Sequence, residues 1–360
     1  GGGEPLRAYE AMTDIEEAAY IVDEVRQLHR DGVALSAMAL LYRSNAQSRV
    51  LEHALFNAGI SYRVYGGLRF FERQEIKHAL AYLRLTANPV DDGAFLRVVN
   101  FPTRGIGNRS LEQLQEIAAA RGISLWQAAC ANALGGRAGS SIAAFIQLIE
   151  AMRKTCENLP LSEIVDHVVS TSGLIAHYQT EKEGADRIEN LNELTNAAAA
   201  FGGQTGTTTL ISAEGEIRSE GLDPLSAFLA HAALEAGEHQ AGEGADALQL
   251  MTVHSAKGLE FHAVFISGLE EGLFPHDNSL SVQEGLEEER RLMYVALTRA
   301  RRRLYLTHAQ TRMLHGQTRY NVSSRFFEEI PEELLKRINT TKFSNFAASA
   351  GYDARSASKA

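Results

Sequence analysis

Two segments in the last third of the sequence carry residue types at spacings that could do chemistry. The first, Met251-Thr252-Val253-His254-Ser255-Ala256-Lys257-Gly258-Leu259-Glu260-Phe261, leaves an apolar run and turns through small and polar residues. Ligands of α/β proteins gather at the carboxyl ends of strands, so His254, Lys257 and Glu260 are expected together at the end of a sheet. The second, Glu287-Glu288-Glu289-Arg290-Arg291-Leu292-Met293-Tyr294-Val295-Ala296-Leu297-Thr298-Arg299-Ala300, reads as a helix. Leu292, Val295, Ala296 and Arg299 share one face of it, at i, i+3, i+4 and i+7. Arg299 therefore points where the apolar residues point, and a guanidinium held there needs an anionic partner. That partner is either a bidentate phosphate or a carboxylate, from Glu287 to Glu289 or elsewhere. Spacing alone leaves both open, and His254 taken alone reads as a satisfied structural histidine.

Other chemistries find little support. A phosphate-binding loop needs Gly-x4-Gly-Lys-Ser/Thr, so that backbone amides wrap the phosphates and a lysine reaches the outer ones. None occurs; Gly202-Gly203-Gln204-Thr205-Gly206-Thr207 lacks the lysine and a preceding strand, and reads as loop. No Ser/His/Asp arrangement and no metal-ligand spacing stands out. Cys130 and Cys156 lie far apart without a CxxC, which suggests neither a zinc site nor a disulfide framework. The net charge of -10 works against binding nucleic acid. The distribution works the other way: Arg290 to Phe327 contains no Asp or Glu but holds Arg290, Arg291, Arg299, Arg301, Arg302, Arg303, Arg312, Arg319 and Arg325. A local basic surface is expected. No apolar stretch approaches the roughly eighteen residues of a membrane span, so a cytoplasmic, soluble protein without a signal peptide is expected. The start at Gly1-Gly2-Gly3 without an initiator methionine reads as a piece of something longer, or as a processed or tagged product.

The elements that must position these residues follow from periodicity. Thr13-Asp14-Ile15-Glu16 has capping-box spacing, and Ile15, Ala18, Ala19, Val22 and Val25 then recur at helical period as far as Gly32. Ala37 to Tyr42 and Ser61 to Tyr65 read as strands around a helix from Asn45 to Asn57, and a helix from Glu72 ends before Pro89. Beyond Pro89 helical patterns dominate, as in Ser110 to Arg121, Ser140 to Glu157 and Arg187 to Phe201. Gly202 to Gly221 and Gly237 to Gly244 read as loop and linker. Strand patterns return at Leu248 to Val253, Ala263 to Ser267 and Leu304 to Thr307. The expectation is an α/β domain with a parallel sheet, discontinuous in sequence (1–88 and 246–345), with a mostly helical domain inserted at 89–245 and a disordered tail at 346–360.

The two chemical segments closely resemble the late motifs of the UvrD/Rep/PcrA family of superfamily 1 helicases. The resemblance extends to Leu41-Tyr42-Arg43-Ser44-Asn45-Ala46-Gln47-Ser48-Arg49, to Tyr65-Gly66-Gly67-Leu68-Arg69-Phe70-Phe71-Glu72-Arg73-Gln74-Glu75-Ile76-Lys77 and to Pro102-Thr103-Arg104-Gly105-Ile106-Gly107. It runs from near residue 4 to about residue 335, with five motifs in the family's order. It implies the second of two RecA-like motor domains, carrying its inserted DNA-binding domain. The phosphate-binding loop and the Mg-binding acidic motif of the family belong to the N-terminal motor domain, which this chain lacks. The implied ligands are ATP with Mg, single-stranded DNA and duplex DNA, and DNA-repair proteins are possible partners. By resemblance Arg299 is the arginine finger on the γ-phosphate, and Glu260, beside Gly258, holds the nucleotide ribose. Thr252 and His254 lie on the single-strand track. Arg43 and Asn45 belong to the same track, although Asn45 could simply cap its helix. Met313-Leu314-His315-Gly316-Gln317 resembles the tip of a strand-separating hairpin, with His315 where relatives carry Tyr or Phe. Thr103, Arg104, Gly105, Ile106 and Gly107 resemble a helix-hairpin-helix that lets backbone N–H groups approach duplex phosphates. The family implies a 3'-to-5' DNA helicase. The competing readings are a DNA-binding or partner-docking module that never hydrolyses ATP, and a complete α/β enzyme for another nucleotide.

Overall fold

The computed structural model describes residues 4–338 apart from 132–133, 205–209, 212–216, 219–222, 238–243, 282 and 315–316. The tail from residue 346 thus lies outside the described residues, as does most of the Gly237 to Gly244 linker. The strands are β1 (Leu6–Thr13), β2 (Met38–Tyr42), β3 (Tyr62–Val64), β4 (Leu210–Ile211), β5 (Ile217–Arg218), β6 (Leu248–Thr252), β7 (Phe261–Ile266), β8 (Ala300–Leu314), β9 (Gln317–Tyr320) and β10 (Leu335–Arg337). Apart from the small β4-β5 pair they form one sheet in the order β10-β1-β8-β7-β2-β6-β3, with β9 added to β8. Every pairing in it is parallel except β8 with β9. The central strand β2, Met-Ala-Leu-Leu-Tyr, is buried at all five positions, as a parallel strand covered on both faces must be.

The helices are α1 (Asp14–Arg30), α2 (Ser48–Asn57), α3 (Gln74–Ala87), α4 (Asp92–Val98), α5 (Asn108–Arg121), α6 (Leu125–Cys130), α7 (Gly136–Cys156), α8 (Leu161–Thr171), α9 (Leu174–Tyr178), α10 (Gly184–Gln204), α11 (Pro224–Gly237), α12 (Asp277–Leu280) and α13 (Gly285–Leu297). Strand alternation sorts the sheet's apolar side chains into two layers. Leu40, Leu250 and Phe265 pack under Ile21, Val25, Leu51 and Leu55 of α1 and α2. Leu41, Met251 and Val264 pack under Leu292, Met293 and Ala296 of α13. The fold is therefore a parallel α/β sheet whose strands are split by the helical stretch from α3 to α11. That stretch has its own core, with Trp126, Phe145, Tyr178 and Phe228. The same core takes in Phe70, Phe71 and α3, so the helices' shared packing begins upstream of residue 89. Pro89 ends a helix rather than the packing unit.

Helix α1 starts where the sequence indicates: the Thr13 side chain accepts from the Glu16 N–H at 3.1 Å. The return half of the box differs, because the Glu16 carboxylate takes the Met12 N–H at 2.7 Å. The buried stripe is also rotated from the expected one. Ile15 is 56% exposed, and Glu17, at 1%, lies among the buried residues of α1 instead. Its carboxylate accepts from Gly268 N–H (2.9 Å) and Thr307 Oγ1 (2.6 Å) and pairs with Arg312. Arg312 also grips the buried Glu270 through two contacts of 2.7 Å, and Glu270 accepts from Ala309 N–H (2.7 Å) and Asn321 Nδ2 (2.9 Å). This triad ties α1 and the loop after β7 to the long outer half of β8.

Removing one member strands a buried charge, which costs about 3–5 kcal/mol. Glu270→Ala should therefore lower the urea midpoint sharply, whereas Arg291→Ala, at the exposed Arg291–Glu288 pair, should shift stability by less than about 1 kcal/mol. Equal midpoints for Glu270→Ala and the parent would remove the triad from the account of stability.

Candidate functional site

The register of the central strands builds the first site. Tyr42 pairs with Thr252 at the carboxyl ends of β2 and β6, so Arg43 and Asn45 leave the sheet beside Thr252 and His254. These four residues line one cavity with Asp186 and Glu189 of α10 and Glu288 of α13. Arg43 is held by Glu289, Nε at 3.1 and 3.0 Å and Nη2 at 2.7 Å. Burial alone would raise the Glu289 carboxyl, but hydrogen bonds from Arg43 and Ser279 hold it below its usual value. Asn45 does not cap the helix, since Ser44 is the cap residue. The Gln47 side chain accepts from the N–H groups of Arg43 (3.0 Å) and Ser44 (2.8 Å). The Asn45 amide side chain has no partner among the described residues. Thr252 Oγ1 fixes the turn after β6, lying 3.0 Å from Ser255 Oγ. His254 reaches solvent, and partial burial together with the Arg43 charge pushes its imidazole below its usual value. At the rim, His276 pairs with Glu189 at 3.3 Å and is raised by that hydrogen bond.

Glu260 is not at this edge. Strands β6 and β7 both run parallel to β2, so the chain must return the length of a strand between Thr252 and Phe261. His254 stands at the carboxyl edge and Glu260 at the amino edge; they are not brought together as the sequence suggested, because a parallel connection reverses level. At the amino edge Glu260 lies two residues beyond Gly258, and Arg299 reaches the residue between them, Leu259. Helix α13 stops at Leu297, which places Arg299 in the link to β8 rather than on the helix face. Its Nη1 donates to Leu259 O (2.8 Å), Nε to Val295 O (3.0 Å) and Nη2 to Thr298 Oγ1 (2.9 Å). All three acceptors are neutral, so the expected carboxylate alternative does not form. Glu260 pairs instead with Arg301 at 3.1 Å, both side chains being more than half exposed. Gly258 has φ +86° with open space where a Cβ would stand.

The arginine run does not make a continuous basic surface. Arg290, Arg291, Arg301, Arg303, Arg312 and Arg325 each pair with a carboxylate. Those carboxylates come from outside the run, which sequence proximity cannot reveal. Arg299, Arg302 and Arg319 are left without an ion pair among the described residues.

In the helical body, residues 103–107 form the turn between α4 and α5. Arg104 faces inward, correcting its expected place on a duplex: its guanidinium donates to Tyr82 OH (2.7 Å), Val98 O (3.0 Å) and Pro102 O (3.1 Å) and lies over the Phe145 ring. Ile106 is 2% exposed and serves the core. Thr103, Gly105 and Gly107 face solvent. Asn100 Oδ1 shapes the turn by accepting from the N–H groups of Arg104 (2.8 Å) and Ile106 (3.1 Å). Gly107 precedes α5 without a side-chain cap, which leaves first-turn N–H groups open. Strands β8 and β9 pair as far as Leu314 with Gln317; His315, between them, lies outside the described residues. One further group escaped sequence reading: His53, His231 and Glu235 converge with ligand atoms within 4.8 Å of one another.

A parallel sheet split by a long helical stretch, with polar clusters at both edges, defines an α/β protein. The family model for the UvrD-like helicase C-terminal domain matches residues 1–311, and the chain belongs to that family. It is 50% identical over 343 residues to DNA helicase II of Escherichia coli (strain K12), covering 93% of this chain and 46% of that protein. To DNA helicase II of Haemophilus influenzae it is 45% identical over 342 residues, covering 93% and 45%. To the ATP-dependent DNA helicase PcrA of Bacillus subtilis (strain 168) it is 39% identical over 346 residues, covering 94% and 46%. The chain spans about half the length of the curated relatives it matches.

The electrostatics order two histidines. His254 should lose its proton at lower pH than His276, since a lowered value means the charged form disappears earlier as pH rises. An NMR titration assigned with His254→Gln and His276→Gln reads both midpoints, and an inverted order would overturn the charges assigned to this cavity.

Proposed function

We propose that this chain is the second motor half of an ATP-driven DNA helicase that moves 3' to 5' along a single strand. In that role it completes a nucleotide cleft whose phosphate-binding loop lies on another domain. The observation that carries this reading is Arg299: its guanidinium is oriented by three neutral oxygens and neutralised by none. Such a charge is poised to stabilise a phosphoryl group brought against it. The amino edge fits a nucleotide in other respects. Gly258 gives open backbone approach, and the Glu260–Arg301 pair is exposed enough to open at little cost, freeing a carboxylate for ribose hydroxyls. Magnesium would be held by the other half, because Glu260 is the only carboxylate in this set and in this reading it is taken by the ribose. When bound, ATP with its metal supplies the phosphoanhydride energy; this chain's residues orient and stabilise charge.

The carboxyl edge suits a single strand met through its bases. Asp186, Glu189 and Glu288 around the cavity repel phosphates, whereas the unpartnered Asn45 amide and the His254 ring, held neutral, can hydrogen-bond or stack. The turn at Gly105 and Gly107 suits duplex phosphates, with Arg104 and Ile106 as its scaffold rather than its contact surface. A second reading, a docking module that hydrolyses nothing, is favoured by the lack of a phosphate-binding loop in these 360 residues.

Joined to a domain carrying that loop, Arg299→Ala should slow DNA-stimulated hydrolysis by about 10³-fold or more and leave DNA affinity nearly unchanged, while Glu260→Ala should mainly raise KM for ATP. Hydrolysis by Arg299→Ala at the parental rate would defeat the motor reading. In the helical body Gly107→Val adds a side chain in open space on ordinary extended backbone. It should keep the parental melting temperature yet weaken salt-dependent duplex binding, whereas Arg104→Ala should lower the melting temperature. Unchanged duplex affinity for Gly107→Val would remove this turn from the DNA interface.

A further inference from the structure

We propose that His53, His231 and Glu235 form a binding site for a divalent transition metal of the zinc class, clamping α2 of the sheet domain to α11 at the end of the helical body. The three come from separate parts of the sequence: His53 lies on α2, and His231 and Glu235 stand one turn apart on α11. Their spacing on α11, i and i+4, puts both on one face. Glu235 Oε1 lies 2.6 Å from His53 Nδ1 and 2.8 Å from His231 Nε2. Two imidazoles and a carboxylate are a donor set that zinc accepts, with bonds of about 2.0–2.2 Å and a fourth, tetrahedral position left for water. With bonds of that length, neighbouring tetrahedral ligands stand roughly 3.4 Å apart. To admit the ion, the two His–Glu contacts need to lengthen by less than about an ångström, and the two imidazole nitrogens, within 4.8 Å of each other, need to close by up to about 1.4 Å.

The surroundings prepare the donors. Glu235 is buried and faces both imidazoles through one oxygen, and an ion would take the place of the protons that the two rings now share with it. His53 Nε2 lies 3.0 Å from Asn57 Nδ2. Once Nδ1 binds metal the proton sits on Nε2, and a turn of the Asn57 amide presents an oxygen to it, the outer hydrogen bond that fixes a ligating imidazole. The His231 ring is oriented by stacking on Phe201, with centroids 5.3 Å apart. The cluster opens into a cavity bordered by Phe71, Phe201 and Phe228. Arg49, the nearby cation there, is committed to Glu193 at 2.5 Å and does not compete for Glu235. Zinc binding would therefore add a bond set between two elements that otherwise meet here through the His53–Glu235 hydrogen bond and the edge-on His53 and His231 rings, 5.5 Å apart.

The test uses the untagged 360-residue chain, stripped with a chelator and then given zinc or cobalt. The expected result is one equivalent of zinc retained after gel filtration, the visible bands of tetrahedral cobalt, and a melting temperature raised by zinc. His231→Gln, His53→Gln and Glu235→Gln should each lose all three responses while keeping the parental circular dichroism spectrum. The three separate variants guard against a failure of any one to fold. A parent that retains no metal, or variants that retain as much as the parent, would overturn the site and leave a hydrogen-bonded His–Glu–His cluster. Neither outcome depends on ATP hydrolysis, so the motor reading stands or falls separately.

Discussion

The pairing of β2 with β6 is the constraint on which the rest of the molecule depends. The two strands are held in register from Ala39 with Gln249 to Tyr42 with Thr252, although the whole helical stretch lies between them in sequence. At its entrance Asp246 accepts from the N–H groups of Leu35 (3.0 Å) and Ser36 (2.7 Å) and from Ser36 Oγ (2.8 Å), across 210 positions of chain. Closing so long a loop is affordable because its entropy grows only with the logarithm of length, and because the helices bury a core of their own. Once the two strands pair, Arg43 has to stand beside Thr252. The same closure brings α11, the last helix before β6, back against α2.

The helical body is seated on the sheet through polar groups rather than a continuation of either apolar core. Helix α10 supplies most of them. Glu189 accepts from Ser44 Oγ at 2.6 Å, Glu193 from Arg49 at 2.5 Å, and the buried Asn190 accepts from Arg73 (2.9 Å) while donating to Glu75 (2.7 Å). Polar networks of this kind contribute little net stability compared with apolar packing, but each member is costly to leave unpaired. They favour a single seating of the body over several. The carboxyl-edge cavity sits on this seam, with residues of the sheet on one wall and of α10 on the other, so its shape depends on that seating.

The sequence made some of this plain and hid the rest for physical reasons. Strands β2, β6 and β7 are legible because parallel strands buried on both faces leave apolar runs. Strand β1 is not, since Leu6 to Thr13 alternates poorly and Glu10 sits within it, and β10 is only three residues long. Periodicity found α1 but misjudged its inner face. A buried Glu17 with three polar partners looks the same in sequence as a solvated one. The family resemblance pointed to Arg43, Asn45, Thr252 and His254, which the fold does gather around one cavity. Reading the first motif residue by residue put Glu260 beside His254, because a motif read as a string carries no information about which edge of a parallel sheet each end occupies. Arg104 shows a related limit: the resemblance placed it with Gly105 and Gly107 on duplex DNA, whereas its guanidinium is the brace that holds the turn.

That separation of edges bears on how the proposed nucleotide and strand sites could communicate. The segment from Val253 to Glu260 joins them directly, without an intervening helix. It is anchored at three points while His254, Lys257, Gly258 and Glu260 face solvent: Val253 and Ala256 are fully buried, Val253 N–H bonds Tyr42 O at 2.9 Å, and Leu259 N–H bonds Ala256 O at 3.1 Å. Arg299 in turn grips Leu259 O, one residue before Glu260. A group that draws the Arg299 guanidinium toward itself must loosen that grip or carry Leu259 along. Buried side chains resist small independent shifts because the core has little free volume, so the displacement would pass along the segment rather than dissipate within it. Its far end is His254, on the wall of the carboxyl-edge cavity. Coupling of this kind requires no motion of the sheet itself, only a short connection anchored at Val253, Ala256 and Leu259 between its two exposed ends.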